Sequence, residues 1–165
     1  MITSLKNNLA HLKFIQRKPL VLFRIINGYF RTLILRKNTL RTVDLALTYR
    51  CNFNCQYCSA KDLQRHAKKT DELSINEIKK MWTEARTLGV IHINLTGGEP
   101  TLRGIDTLCE IIQSLHPRQH LISMVTNASL VKKEDIKKLK DAGLDTIQLS
   151  IESVNPNIHD AIRKT

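Results

Sequence analysis

From residue 43 onward the sequence alternates between short β-patterned runs and amphipathic helical runs, and this alternation limits the fold more than any other feature. The strands fall near 43–49 (VDLALTY), 90–96 (VIHINLT), 120–126 (HLISMVT) and 145–151 (DTIQLSI). Strands separated by helices imply βαβ units and a parallel sheet, because parallel neighbours need a long crossover. Ser74 and Glu77 form a capping box opening a helix whose inward stripe is Ile75, Ile78, Trp82, Ala85 and Leu88, closed by Gly89. A second helix sets Ile105, Leu108, Cys109, Ile112 and Leu115 on one face. A third runs from about Lys132 to Ala142 and stops at Gly143.

Strands of a sheet covered on both faces should read as continuous apolar runs. Two of these alternate instead, with Ile91, Ile93 and Leu95 opposite His92, Asn94 and Thr96, and Ile147, Leu149 and Ile151 opposite Gln148, Ser150 and Glu152. The apolar sets should meet the helices, leaving the polar sets to line a wet or ligand-filled space. A partial barrel with a polar lumen fits this better than a sealed eight-stranded barrel. An antiparallel sheet with one solvated face would also alternate, but the intervening helices argue against it. The expected fold class is α/β, a partial (βα) TIM-like barrel of parallel strands with an N-terminal helical arm. Thr48, His92 and Asn94 are candidate lumen-lining residues, although a lone strand histidine is more often a satisfied structural residue. Six strands would carry the chain past roughly residue 210. The sequence stops at Thr165 inside its fourth helix, so it reads as truncated after about four βα units.

Charge separates the arm from the body. Lys and Arg number 26 against 15 Asp and Glu, a net of +11. Residues 1–50 hold ten of the basic residues and only Asp44 as an acid, so residues 51–165 are nearly neutral. That balance argues against nucleic acid as the body's partner, with an RNA-associated role for the arm as a lesser alternative. Residues 1–42 read as a basic amphipathic helical arm, and 43–165 as the N-terminal portion of the barrel. In the arm Leu22, Ile25, Ile26, Tyr29, Leu33 and Ile34 share a face, with Arg24, Asn27, Gly28 and Arg31 opposite. Such a helix either docks on the domain with its charges solvated or makes peripheral contact with an anionic membrane surface. Arg24, Asn27 and Arg31 interrupt the apolar stretch 20–35, which excludes a spanning helix and a signal peptide and leaves the cytoplasm as the expected location.

Three of the four cysteines, Cys51, Cys55 and Cys58, form a C-x3-C-x2-C loop directly after the first strand. Three thiolates on so short a loop can take three corners of a cubane iron–sulfur cluster. The fourth iron is then left open, and an open iron is where chemistry can occur. A structural zinc site with His66 as fourth ligand, or three packed cysteines, are the alternatives; zinc sites usually come as paired C-x2-C or H-x3-H units. Cys109 sits in an apolar helical stripe and reads as an inert buried thiol. The second strand ends in Gly97-Gly98-Glu99-Pro100, where two glycines permit close backbone approach to a ligand and Glu99 sets a carboxylate at the ligand-binding end of a parallel sheet. Alone, that tetrad could be an ordinary turn.

Together these residues resemble the radical S-adenosylmethionine (SAM) superfamily. Cys51, Cys55 and Cys58 match its C-x3-C-x-aromatic-C motif with Tyr57 as the aromatic, and Gly97 to Pro100 match its GGEP motif. The resemblance implies a [4Fe–4S] cluster on the three cysteines, its fourth iron chelated by the amino and carboxylate groups of S-adenosylmethionine. It implies that Gly97, Gly98, Glu99 and Pro100 hold the amino group and that Tyr57 lies near the adenine. Thr126, Asn127, Ser150 and Glu152 resemble weaker positions contacting the methionyl and ribose parts. The implied activity is reductive cleavage of S-adenosylmethionine to a 5′-deoxyadenosyl radical, which abstracts hydrogen from an unknown substrate. A flavodoxin or ferredoxin is implied as electron donor. A truncated, non-catalytic [4Fe–4S] or metal-binding module is the alternative.

Overall fold

The computed structural model describes residues 18–164. Four strands, β1 (Thr42–Thr48), β2 (His92–Gly97), β3 (Leu121–Thr126) and β4 (Thr146–Leu149), form one sheet in that order, every pair parallel. Sequential order with helical crossovers is the winding of a βα barrel rather than of a doubly wound sheet. The helices are α1 (Pro19–Leu33), α2 (Lys61–His66), α3 (Ile75–Thr87), α4 (Ile105–Ser114), α5 (Lys133–Ala142) and α6 (Pro156–Arg163).

One face of the sheet carries the core. Leu45, Leu47, Ile93, Leu95, Ile122 and Met124 are buried with Ile78, Trp82, Leu108, Ile112 and Leu139 from the helices. The capping box forms as the sequence predicts: the Glu77 N–H donates to Ser74 Oγ at 3.3 Å and the Ser74 N–H to Glu77 Oε2 at 2.8 Å. Leu88 departs from its stripe. It follows the last turn of α3, Gly89 turns away with φ +97°, and Leu88 is left 54 % exposed. Ile111, which lies off the stripe of Ile105, Leu108, Cys109, Ile112 and Leu115, is fully buried as well.

The polar face of β2 is internally bonded. His92 Nε2 and Ser123 Oγ lie 2.8 Å apart, Ser123 Oγ donates to Asn94 Oδ1, and Asn94 Nδ2 donates to Asp44 Oδ1. At β4 the expected apolar face is only partly used: Ile147 packs on the core, whereas Leu149 and Ile151 stay exposed. β4 is an edge strand ending at Leu149, and α6 is held instead at the carboxyl end, where the Gln56 N–H donates to the Ile162 carbonyl.

Within the arm, α1 docks on the domain, through the face opposite to the apolar one. Val21 and Gly28 are buried, a Cβ at Gly28 would lie 3.8 Å from Ile91, and Arg24 donates to the carbonyls of Arg86 and Val90 at 3.2 and 3.0 Å. A guanidinium over the last turn of α3 satisfies carbonyls that the helix leaves open. Lys18 adds a 2.6 Å ion pair to Asp145. Leu22, Ile26, Tyr29, Leu33 and Ile34, which the projection groups together, are therefore exposed. The remainder of the 1–42 arm, residues 1–17, lies outside the described residues. No helix among those described is long and apolar enough to cross a membrane.

A buried imidazole makes the core sensitive to acid. The His120 ring meets Trp82 edge-on with centroids 4.8 Å apart, and its Nδ1 lies 3.1 Å from the carbonyls of Leu115 and His116, which makes Nδ1 the protonated nitrogen. Burial, aided by the charges of Arg24 and Arg86, pushes its pKa down to about 4. The unfolded chain takes up this proton near pH 6.5, so stability is full above that pH and falls as pH drops toward 4. The loss is at most about 3 kcal/mol. Urea unfolding at pH 7 and pH 5 should show a clear drop for the native sequence and a smaller one for His120→Gln; equal drops would refute this.

Candidate functional site

The site lies at the carboxyl ends of the strands. β1 delivers Thr48, and three residues later the cysteine loop begins at Cys51. Each thiol has a positioning neighbour. The Phe53 N–H donates to Cys51 Sγ at 3.5 Å, Gln64 Oε1 lies 4.0 Å from Cys58 Sγ, and Arg163 Nη1 donates to Cys55 Sγ at 3.6 Å. Gln64 also donates to the Phe53 carbonyl at 2.7 Å, which ties α2 to the loop. Burial raises the Cys51 thiol, and the nearby Glu99 carboxylate and the other two cysteines add to this against the Phe53 N–H. A metal centre bound through Cys51 would displace this proton.

Cys51, Cys55 and Cys58 line one cavity of about 270 Å³ together with Tyr57, Gly97, Gly98, Glu99, Thr126, Asn127, Ser150 and Glu152. The structure thus gathers residues from four strand ends that are scattered over a hundred positions of sequence. Tyr57 is at the rim, 82 % exposed. Pro100 is not among the lining residues; it is buried as the first residue of a short 3-10 turn, Pro100–Arg103. Thr48, His92 and Asn94 also lie outside this cavity. Thr48 is buried and donates to Glu72 Oε1 at 2.7 Å, while His92 and Asn94 belong to the polar ladder nearer the other end of β2.

Glu99 is 1 % exposed and turned inward. Its Oε1 accepts from the Thr101 N–H and hydroxyl at 3.0 and 2.6 Å and from the Thr126 hydroxyl at 2.7 Å; its Oε2 accepts from the Asn127 N–H at 2.8 Å. Four hydrogen bonds to one carboxylate clip the end of β2 to the end of β3. Asn127 extends the clip by donating to Asn52 Oδ1 at 3.0 Å, inside the cysteine loop.

Two further groups give no sequence signal. Arg163, on α6, pairs with Glu152 at 2.7 Å as well as touching Cys55, and its Nε is buried without a partner. Its neighbourhood arises only when the two chain segments fold together. Glu72 lies between Arg50 at 2.8 Å and Arg103 at 3.4 Å, beneath the start of the loop. Burial alone would raise the Glu72 carboxyl, but the bonds from Thr48 and Arg50 and the charges of Arg50 and Arg103 outweigh it and hold it below the usual range.

Among the described residues no three His, Cys, Asp or Glu side chains gather as a metal-ion site, and the three free thiols line one cavity. His66, the candidate fourth zinc ligand, lines a different recess beside Thr48 and Tyr49. Cys109 packs on the edge of the core on α4, with its thiol raised by burial.

Comparison with known proteins agrees. Residues 45–165 match the family model of the Radical SAM superfamily. A probable GTP 3′,8-cyclase of Thermococcus kodakarensis is 37% identical over 118 residues, covering 72% of this chain and 37% of that protein. A PqqA peptide cyclase of Rhizobium meliloti is 38% identical over 116 residues, covering 70% of this chain and 30% of its own length. The chain thus spans about a third of these curated relatives. Among solved structures, Streptococcus suis SuiB bound to S-adenosylmethionine superposes with a TM-score of 0.64 at 18% identity, covering 76% of this chain and 28% of that one. The structure of anSMEcpe with bound AdoMet gives a TM-score of 0.60 at 21% identity, covering 76% of this chain and 35% of that one. The family match over most of the barrel portion, on a fold shared with these structures, shows that the chain belongs to the radical SAM superfamily, whose cofactors are a [4Fe–4S] cluster and S-adenosylmethionine.

Proposed function

We propose that this chain carries the cofactor-binding part of a radical SAM enzyme, holding a [4Fe–4S] cluster on Cys51, Cys55 and Cys58 and S-adenosylmethionine in the adjoining cavity. The observation that supports this most directly is that the three thiols share one cavity with the ends of β2, β3 and β4. A [4Fe–4S] cluster held by Cys51, Cys55 and Cys58 would supply the one electron needed for reductive cleavage of S-adenosylmethionine to methionine and a 5′-deoxyadenosyl radical. The chain's own residues position and enclose. Glu99, Thr126 and Asn127 fix the cavity wall, Arg163 and Glu152 close the side formed by α6, and Tyr57 stands at the mouth.

The test is anaerobic reconstitution followed by electron paramagnetic resonance of the dithionite-reduced protein. Added S-adenosylmethionine should change the reduced signal, and 5′-deoxyadenosine should accumulate. A cluster signal indifferent to S-adenosylmethionine would leave only the metal-binding module; zinc without iron or sulfide would exclude the cluster altogether.

A further inference from the structure

α1 docks at the amino ends of the strands with its apolar side turned outward. Phe23, Ile26, Phe30, Leu33 and Ile34 share one face of this helix of 15 residues and its cap, and each is more than half exposed. Single apolar residues at a surface need no explanation, but a contiguous row marks an interaction surface. Charge on this segment has one sign: residues 18–43 hold Lys18, Arg24, Arg31, Arg36, Lys37 and Arg41 and no acid. Along one flank of the apolar face runs a groove of about 320 Å³, walled by Arg24, Arg31 and Arg86 together with Leu20 and Phe23, and no carboxylate lines it. None of the three arginines makes an ion pair among the described residues. Arg86 Nε is buried without a partner there, and burial with the neighbouring Arg86 charge pushes the Arg24 guanidinium below its usual pKa. Guanidiniums gathered without a carboxylate suit the oxygens of a phosphate.

We propose that α1 is a peripheral membrane anchor, its apolar face entering the surface of an anionic bilayer while the arginine groove takes a lipid phosphate. A helix with this division of faces lies flat in the headgroup region, held by apolar burial and by attraction to anionic lipid. Leu20 and Phe23 wall the groove and are themselves half-exposed or more, so one lipid can set its phosphate among the arginines and its acyl chains beside the helix. A second copy of this chain laid on the same face would bring two acid-free basic surfaces together, whereas anionic headgroups complement them. The placement also suits the rest of the molecule. Lys18 and Arg24 bond to Asp145 and Val90, just before β4 and β2, whereas the cofactor cavity lies at the carboxyl ends of the strands. A bilayer held at α1 therefore leaves that cavity open, and the anchor stands whether or not the cluster assignment does.

The experiment is flotation of the full chain with vesicles of phosphatidylcholine alone and of phosphatidylcholine mixed with phosphatidylglycerol. Binding to the mixed vesicles should be at least about tenfold stronger and should weaken about tenfold between low and high salt. Ile26→Glu/Leu33→Glu should abolish it, and Arg31→Glu, which leaves the apolar face intact, should weaken it about tenfold. Both sites of the double variant are exposed, so its Tm should match the native chain and loss of binding cannot be laid to unfolding. Equal binding to the two kinds of vesicle, or native binding by Arg31→Glu, would overturn the arginine groove as a lipid phosphate site. A native chain that stays unbound would overturn the anchor. If that unbound chain sediments as a dimer, the face belongs to a second copy; if inorganic phosphate raises its Tm, the groove belongs to a soluble anion.

Discussion

Cys51→Ala, reconstituted anaerobically, should bind no [4Fe–4S] cluster: iron and sulfide fall to background and the dithionite-reduced resonance signal is lost. The chain offers three thiols to the cavity, and two thiolates cannot hold a cubane that already lacks a fourth protein ligand. Cys109 cannot replace the missing one, because it packs on the edge of the core on α4, outside the cavity. Cys109→Ala is accordingly the control and should keep native iron content. The fold should survive in both. Cys51 is only half-buried and belongs to an irregular loop rather than to the Leu45–Leu139 core, so the far-ultraviolet circular dichroism should be unchanged. The sulfhydryl raised by burial adds a pH signature, with loading of the native chain releasing protons and slowing in acid. Native iron content in Cys51→Ala would show that the cysteines do not act as a set.

The parts of this molecule readable in one dimension are those set by local periodicity or local chemistry. Strand and helix positions follow from periods of two and 3.6, and the Ser74–Glu77 capping box forms where its spacing places it. The three cysteines are legible because their whole meaning lies within eight residues. What escaped depends on which surfaces meet. An amphipathic projection finds the apolar face of α1 but not the docking face, where the buried Gly28 lies beside Ile91 and Arg24 reaches open carbonyls at the end of α3. For Glu99 the sequence supplies a carboxylate at a strand end, whereas its four partners come from Thr101, Thr126 and Asn127. Arg163 stands 108 positions from Cys55, and a helical arginine carries no local mark of the sulfur it will touch.

The glycines at the end of β2 show the same distinction, and they carry the second large effect. Read alone, Gly97 and Gly98 suggest backbone approach to a ligand; in the fold they approach the chain's own β1 exit. The Gly98 N–H donates to the Thr48 carbonyl at 2.6 Å and the Glu99 N–H to the Arg50 carbonyl at 2.9 Å, sewing β2 to the segment that leads into Cys51. A Cβ at Gly98 would fall 2.2 Å from the Arg50 carbonyl oxygen and 2.7 Å from that of Tyr49. Both neighbours are backbone, so no flexible side chain can yield. Gly98→Ala should therefore cost about 3 kcal/mol, the upper end of ordinary overpacking, and lower Tm by roughly 6–12 °C. Because relief requires Tyr49 and Arg50 to move, the cysteine loop moves with them, and cluster retention should fall as well. Gly104→Ala separates crowding from backbone strain: its φ is +85°, yet the nearest atom to its Cβ would be 3.9 Å away. That variant should lose only about 1 kcal/mol and keep the cluster. Equal losses of Tm in the two variants would mean that the close crossing of β1 and β2 does not set the cost at Gly98, whose φ lies outside the left-handed region.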